Sequence, residues 1–303
     1  LDRAFADGAI LRTHILRPTW HFVLPSDIRW LLALTAPRVH ALNAYYYRQL
    51  GLDEGVRGKS EALLAGALRG GNQLTRKEVA GVLEQGGIDT VSLRLGYILM
   101  SAELNGVICS GPLRGKQHTY ALLDDRAPQA RSLVPDEALA ELTLRYFASH
   151  GPATVQDYKW WSSLTVADIR RGIAMLGSRL DSEVVDGVTY WSADRADPPA
   201  APTTVHLLQG YDEYIVGYGE SKHLLDVAGV AGSLPRDGVT FNSVVMLDGQ
   251  VAGHWKRTVR KGSADIEVVL YAPFNDEQLR ALAATASRYG EFLGLPATVT
   301  VLA

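Results

Sequence analysis

The periodicity of apolar residues changes several times along the chain, and each change marks a predicted element. Leu1, Ala4 and Phe5 have helical spacing, which Asp7-Gly8 ends. Residues 10–24 have strand character. Their second half alternates, with Leu16, Pro18, Trp20, Phe22 and Leu24 on one face and Arg17, Thr19 and His21 on the other. Pro18 suits an edge strand. Ser26 is a good N-cap for a helix through Trp30, Leu31 and Leu34. Pro37 is expected to kink or restart it, giving a second helix through Tyr45, Tyr46 and Tyr47 to Gly51. Residues 56–69 read as another short helix.

From residue 72 a pattern begins that then recurs. Thr75-x-x-Glu78 is a capping-box signature opening a helix to about Gly86. A second helix is predicted over 91–105, with Leu93, Tyr97, Met100 and Leu104 on one face. Val107-Ile108-Cys109, a polar loop over 110–117 and a strand over 119–123 then read as a hairpin. The second copy starts at Pro135, favourable at N1. Thr154-x-x-Asp157 and Thr165-x-x-Asp168 open further helices, and Asp186-Gly187 joins two short strands as a type I′ turn. Residues 197–202, rich in proline, read as a stiff linker. Strands then dominate, at 205–208, 240–247, 250–257 and 266–271. Asn275-x-x-Gln278 caps one helix, and 298–301 closes the chain.

The predicted fold is therefore α+β: tandem winged-helix modules, three with the first incomplete, followed by a C-terminal β-rich domain with one helix. The expected boundaries are 1–71, 72–132, 133–196 and 197–303.

Composition narrows the function classes. The chain has 303 residues and a formal charge of −3; 47% of it is hydrophobic and 21% charged, the balance of a folded domain rather than a disordered segment. No apolar run approaches the ~20 residues that span a bilayer, so a membrane-spanning helix is not expected. One cysteine, Cys109, allows no internal disulfide and no cysteine zinc site, and fits a reducing, cytoplasmic setting. No metal or organic cofactor is expected, and a monomer is. The near-neutral charge argues against a general polyanion coat, but allows one basic face. The chain starts at Leu1 within an amphipathic segment, so further sequence is expected upstream.

Standard catalytic motifs are absent. Arg57-Gly58-Lys59-Ser60 imitates the end of a phosphate-binding loop, but Asp53 stands where its first glycine belongs. Arg114 and Lys116, flanking Gly115, offer flexible cations for backbone phosphates, or form a solvated loop. His254-Trp255-Lys256-Arg257-Thr258-Val259-Arg260-Lys261 is the densest basic run. Lys256, Arg257, Arg260 and Lys261 suit phosphate contacts, or a charged strand edge that blocks aggregation. Arg17, Thr19 and His21 share a strand face and are the sharper constellation, either lining a cleft that holds a nucleotide and a water or holding a core histidine. Asp212-Glu213 offers paired carboxylates between Tyr211 and Tyr214. Asp212 is either a general base or the cap of a turn.

Four blocks carry a resemblance. Arg17-Pro18-Thr19-Trp20-His21-Phe22-Val23, Asp27-Ile28-Arg29-Trp30-Leu31-Leu32-Ala33-Leu34, Asp212-Glu213-Tyr214-Ile215-Val216-Gly217-Tyr218 and Val251-Ala252-Gly253-His254-Trp255-Lys256-Arg257 resemble the winged-helix DNA-binding family that includes AlkZ-like DNA glycosylases. The resemblance implies three tandem winged helices and a β-rich domain around a DNA-sized channel, with double-stranded DNA as partner. It also implies removal of alkylated or crosslinked bases, within DNA repair, by hydrolysis of the N-glycosidic bond. Family chemistry depends on a Gln-hydrophobic-Gln or Gln-hydrophobic-Asp motif. No glutamine here has Gln or Asp two positions later. The motif is expected before the Arg-x-Thr-x-His strand, upstream of Leu1; the alternative is a member that binds DNA or sequesters a toxin without catalysis. The resemblance makes Arg17, Thr19 and His21, with Asp212, the expected catalytic residues. Arg114, Lys116, Lys256, Arg257, Arg260 and Lys261 are the expected DNA contacts.

Overall fold

The computed structural model describes residues 2–193, 203–229 and 243–302. The predicted linker at 197–202 and positions 240–242 of the predicted strand lie outside these residues. The chain divides into two compact units. One holds Leu1–Ser149 and Tyr158–Leu180, the other His150–Asp157 and Asp181–Ala303.

In the first unit, α1 (Asp2–Ala6) leads into β1 (Leu11–Ile15) and β2 (Thr19–Val23), which pair antiparallel with Thr13 opposite His21 and His14 opposite Trp20. The single strand expected over 10–24 is therefore a hairpin. Its turn is built on Leu16 at φ +60°, an αL position that sequence signals seldom assign to leucine. α2 (Ile28–Gln49) is one continuous helix with Pro37 inside it, not two. Ala36 and Val39 on either side of the proline are buried against Leu104, so packing outweighs the lost hydrogen bond. Asp27, not Ser26, stands at its N-cap.

α3 (Glu54–Leu68) starts at Asp53, whose carboxylate accepts from Val56 N at 2.8 Å. The residues that imitate a phosphate loop lie inside this helix. The first complete helix–helix–sheet module follows. It comprises β3 (Leu74–Thr75), α4 (Arg76–Gln85), α5 (Arg94–Leu104), β4 (Ile108–Arg114) and β5 (Gln117–Leu122), with strands in the order β3-β5-β4. The Thr75–Glu78 capping box forms as its spacing predicts. Leu95, Ile98, Leu99 and Ala102 of α5 enter the module core, Tyr97 packs against it, Leu104 and Met100 pack with Ala36 and Val39, and Leu93, just before the helix, is 58% exposed. Most of the predicted polar loop 110–117 is strand, and only Gly115-Lys116 form the turn. Then come α6 (Leu123–Arg126), α7 (Pro135–His150), α8 (Val155–Ser162) and α9 (Val166–Leu176). Thr165 caps α9 by accepting from Asp168 N at 3.1 Å. Tyr146 stacks on Tyr158 with ring centroids 4.3 Å apart, at the centre of this part of the core.

The second unit holds the hairpin β6 (Asp181–Val185) and β7 (Val188–Ser192), whose turn residues Asp186 and Gly187 both have positive φ, as a type I′ turn needs. Its five-stranded sheet has the order β12-β11-β10-β9-β8. The strands are β8 (Val205–Leu208), β9 (Val244–Leu247), β10 (Gln250–Val259), β11 (Ala264–Leu270) and β12 (Ala297–Leu302). α10 (Glu213–Val216) is a single turn. α11 (Asp276–Leu293) crosses from β11 to its parallel neighbour β12, and Leu282 and Ala286 join Trp255, Ile266 and Val268 in the core. Asp157 ties loop to helix, accepting from the Gly219 and Ser221 amides at 2.9 Å each. The result is α+β with helix–sheet modules followed by a β-rich C-terminal region.

β10 bulges between Val251 and Gly253, and a Cβ on Gly253 would sit 2.3 Å from Val269 O on β11. Gly253→Ala is expected to cost about 2 kcal/mol, because backbone rather than a mobile side chain must move. Urea denaturation measures it; an unchanged midpoint would refute the close approach.

Candidate functional site

The β1–β2 register gathers chemistry that the sequence does not gather. Cross-strand partners share a face, so Arg12 and His14 of β1 stand beside Trp20 and Phe22 of β2. The opposite face carries Leu11, Thr13, Ile15, Thr19 and His21. The face read as apolar is thus the one bearing a cation and an imidazole, with Trp20 46% exposed at its outer edge.

Behind this face lies a buried network. His14 Nδ1 hydrogen-bonds Glu103 Oε2, on α5, and the Trp20 indole N–H reaches the same oxygen at 3.4 Å. Glu103 is 1% exposed, and its Oε1 has no hydrogen-bond partner. The Arg12 backbone N–H donates to Ser110 Oγ at 2.8 Å, and its guanidinium carbon lies 4.3 Å from the Trp20 ring centroid. Arg12 is itself buried, and its Nε has no partner. Burial lowers the guanidinium pKa, against the raising influence of Glu103.

A pocket of about 530 Å³ opens on this network. Arg12 and Trp20 line it from the hairpin, Arg76 and Lys77 from the start of α4, and His118 and Tyr120 from β5. No carboxylate is among its lining residues. Burial, then the charge of Arg12, lowers the His118 pKa. Cys109 is buried, which pushes its thiol up to about 12 and makes it a poor nucleophile. Among the described residues there is no cluster of metal-ligating side chains, and no helix long and apolar enough to cross a membrane.

The residues expected from the sequence fall in both units. Arg17 lies in the hairpin turn, its guanidinium carbon 5.8 Å from the Trp160 ring centroid. Thr19 is exposed on β2, and His21 Nδ1 lies 3.1 Å from Thr19 O. Because the strand ends at the turn, the three do not continue one straight face. Asp212, in the second unit, N-caps α10 by accepting from Tyr214 N at 3.0 Å. Its neighbour Glu213 lies 3.3 Å from His150 Nε2. Arg114 pairs with Glu78 at 2.7 Å, Lys256 with Glu267 at 2.7 Å and Arg260 with Asp265 at 2.6 Å, while Arg257 packs over Tyr289. Lys116 and Lys261 are exposed and have no carboxylate partner among the described residues. Sequence reasoning missed Arg12, His14, Glu103, Arg76 and Lys77. One signal was available: Glu103 is the only charge between Leu95 and Leu104, inside an otherwise apolar helix face.

Comparison with known proteins places the chain in a class of DNA glycosylase folds. The model of the family described as DNA glycosylase AlkZ-like matches residues 1–292, and the chain belongs to that family. It is 27% identical over 292 residues to the interstrand DNA cross-link repair glycosylase of Streptomyces sahachiroi, covering 92% of this chain and 76% of that protein. The structure of Streptomyces sahachiroi DNA glycosylase AlkZ is similar with a TM-score of 0.77 and 25% identity, covering 98% of this chain and 84% of that one.

Proposed function

We propose that the protein is a DNA-binding, monofunctional DNA glycosylase that hydrolyses the N-glycosidic bond of alkylated or crosslinked bases. The observation that carries this reading is the match of nearly the whole chain to the AlkZ fold, together with its family membership over residues 1–292. An alkylated base is cationic and already a good leaving group. The protein has to position water and stabilise positive charge on the sugar, work that needs neither a metal nor a redox group. Thr19 and His21 orient water or substrate, and the winged-helix modules, three in this reading, hold double-stranded DNA. Arg114, Lys116, Lys256, Arg257, Arg260 and Lys261 contact phosphates. Exposed ion pairs such as Arg114–Glu78 are weak enough for phosphate to displace.

A second reading is favoured by one observation, the lack of a Gln-hydrophobic-Gln or Gln-hydrophobic-Asp motif in these 303 residues. In it the protein binds DNA or sequesters a toxin without cleaving a bond.

The deciding experiment incubates the protein with a duplex carrying N7-methylguanine. It measures released base by chromatography and abasic sites by alkaline strand cleavage. Release supports the glycosylase; salt-sensitive binding without release supports the DNA-binding module; absence of binding removes both and leaves only toxin sequestration. Each phosphate contact contributes about −0.9 to the slope of log K against log salt, so Lys116→Ala with Lys261→Ala is expected to flatten it by about 2. An unchanged slope excludes these two lysines from the interface.

A further inference from the structure

We propose that the 530 Å³ pocket in the first unit is a binding site for one 5′-phosphorylated deoxynucleoside. Three observations carry the inference. First, its lining brings together three fixed cations, Arg12, Arg76 and Lys77, and no carboxylate, so an anion is favoured there. Second, Arg12 is a buried cation lining the pocket with an unpartnered Nε, an arrangement that is costly until an acceptor arrives. The guanidinium carbon lies 4.3 Å from the Trp20 ring centroid, a cation–π contact that holds the charge at the pocket before the ligand binds. Third, the volume exceeds what phosphate alone needs and lies in the range of small-molecule sites.

The remaining wall supplies the rest of the ligand. Ala80, Leu95, Trp20 and Tyr120 present an apolar and aromatic surface suited to a base. Arg76 and Tyr120 line the same pocket, so the cationic rim stands beside that wall. The start of α4 brings Arg76 and Lys77 to the rim, and its positive helix end adds to their field. His118, with its lowered pKa, is a neutral hydrogen-bonding group at neutral pH. The same chemistry recognises a free mononucleotide or a nucleotide displaced from a duplex. The second source rests on the DNA reading above, the first does not.

Two arms separate the sources, both with the full chain. In one, calorimetry titrates dAMP, deoxyadenosine and inorganic phosphate. In the other, binding is compared between a paired 20-mer duplex and the same duplex with one unpaired 2-aminopurine nucleotide. In at least one arm we expect a preference of about tenfold or more: dAMP over deoxyadenosine and over phosphate, or the unpaired over the paired duplex. Arg76→Ala with Lys77→Ala removes exposed side chains outside the core and is expected to abolish that preference. Arg12→Lys, which keeps the charge and loses the planar fork, is expected to weaken it severalfold. A dAMP preference in a protein that binds no duplex upholds the pocket and ends the DNA reading. Duplex binding with neither preference, or a preference that survives the double variant, overturns the pocket and leaves the DNA reading standing. Absence of binding in both arms overturns both.

Discussion

Glu103→Ala is expected to destabilise the folded chain by about 3–5 kcal/mol, the combined cost of leaving buried polar groups without their partner and of opening a cavity beside them. The carboxyl group is almost wholly buried, and its Oε2 holds both His14 and the Trp20 indole. Its loss leaves the His14 ring without its acceptor and removes the negative charge nearest buried Arg12. It also opens a hole between α5 and the β1–β2 hairpin, so a packing penalty adds to the polar one. Glu103→Gln keeps the shape and one acceptor, and is expected to cost less than half as much. Urea denaturation at pH 7 separates the two. If Glu103→Ala fell within about 1 kcal/mol of the parent, the His14–Glu103 contact would not hold the hairpin. A functional effect follows, because the hairpin carries Arg12 and Trp20 into the pocket wall. A Glu103 variant that folds at low temperature is expected to lose ligand affinity together with hairpin order.

The same residues show where the sequence stops being legible. Local signals carry through. The Thr75–Glu78 and Asn275–Gln278 capping boxes, the Asp186-Gly187 and Asp248-Gly249 turns and the shift to strands in the C-terminal region all depend on residues within four positions of each other. The β1–β2 hairpin does not, because its turn lacks glycine and asparagine and puts Leu16 in αL. Its alternation is real, but His14 pairs with Glu103, 89 residues away, and Arg12 with Ser110, 98 residues away, which no local window contains. Pro37 fails as a breaker for a similar reason, since burial of Ala36 and Val39 against α5 holds α2 straight.

The blocks that carry the family resemblance largely record packing. Asp27 and Trp30 form a buried hydrogen bond of 3.0 Å, Gly253 permits the close approach of β10 to β11, and Asp212 caps one helical turn. Such blocks identify the fold well and the chemistry poorly. Arg76 and Lys77 lie outside all four. They read locally as ordinary first-turn residues of α4, and only the three-dimensional arrangement sets them across a cavity from Arg12.

Asp27 gives the second large effect, through acid. Its side chain is 5% exposed and takes hydrogen bonds from the Trp30 indole, from Arg131 and, at 2.6 Å, from Arg145 on α7. Burial alone would raise the carboxyl pKa, but Arg145, Trp30 and Arg131 more than offset it and hold the pKa at about 2, below the ordinary 3.8. The folded state therefore binds this proton less readily than the unfolded chain. The stabilisation is complete above pH 4 and disappears as pH falls through about 2. At about 1.4 kcal/mol per pH unit, the difference amounts to about 2 kcal/mol. Asp27→Ala is expected to cost about 3 kcal/mol at pH 7, because it also leaves the Trp30 indole N–H without its acceptor. At pH 2 the gap between variant and parent should narrow to about 1 kcal/mol, since the folded parent is then about half protonated and the unfolded chain almost fully, which removes most of the stabilisation. Urea midpoints at pH 7, 4 and 2 follow this course, and a gap that stays constant across them would show that the two arginines do not hold Asp27 ionised. The anchor matters for function because Asp27 starts α2 directly after the hairpin that bears Trp20, so loosening it moves the wall against which a ligand binds.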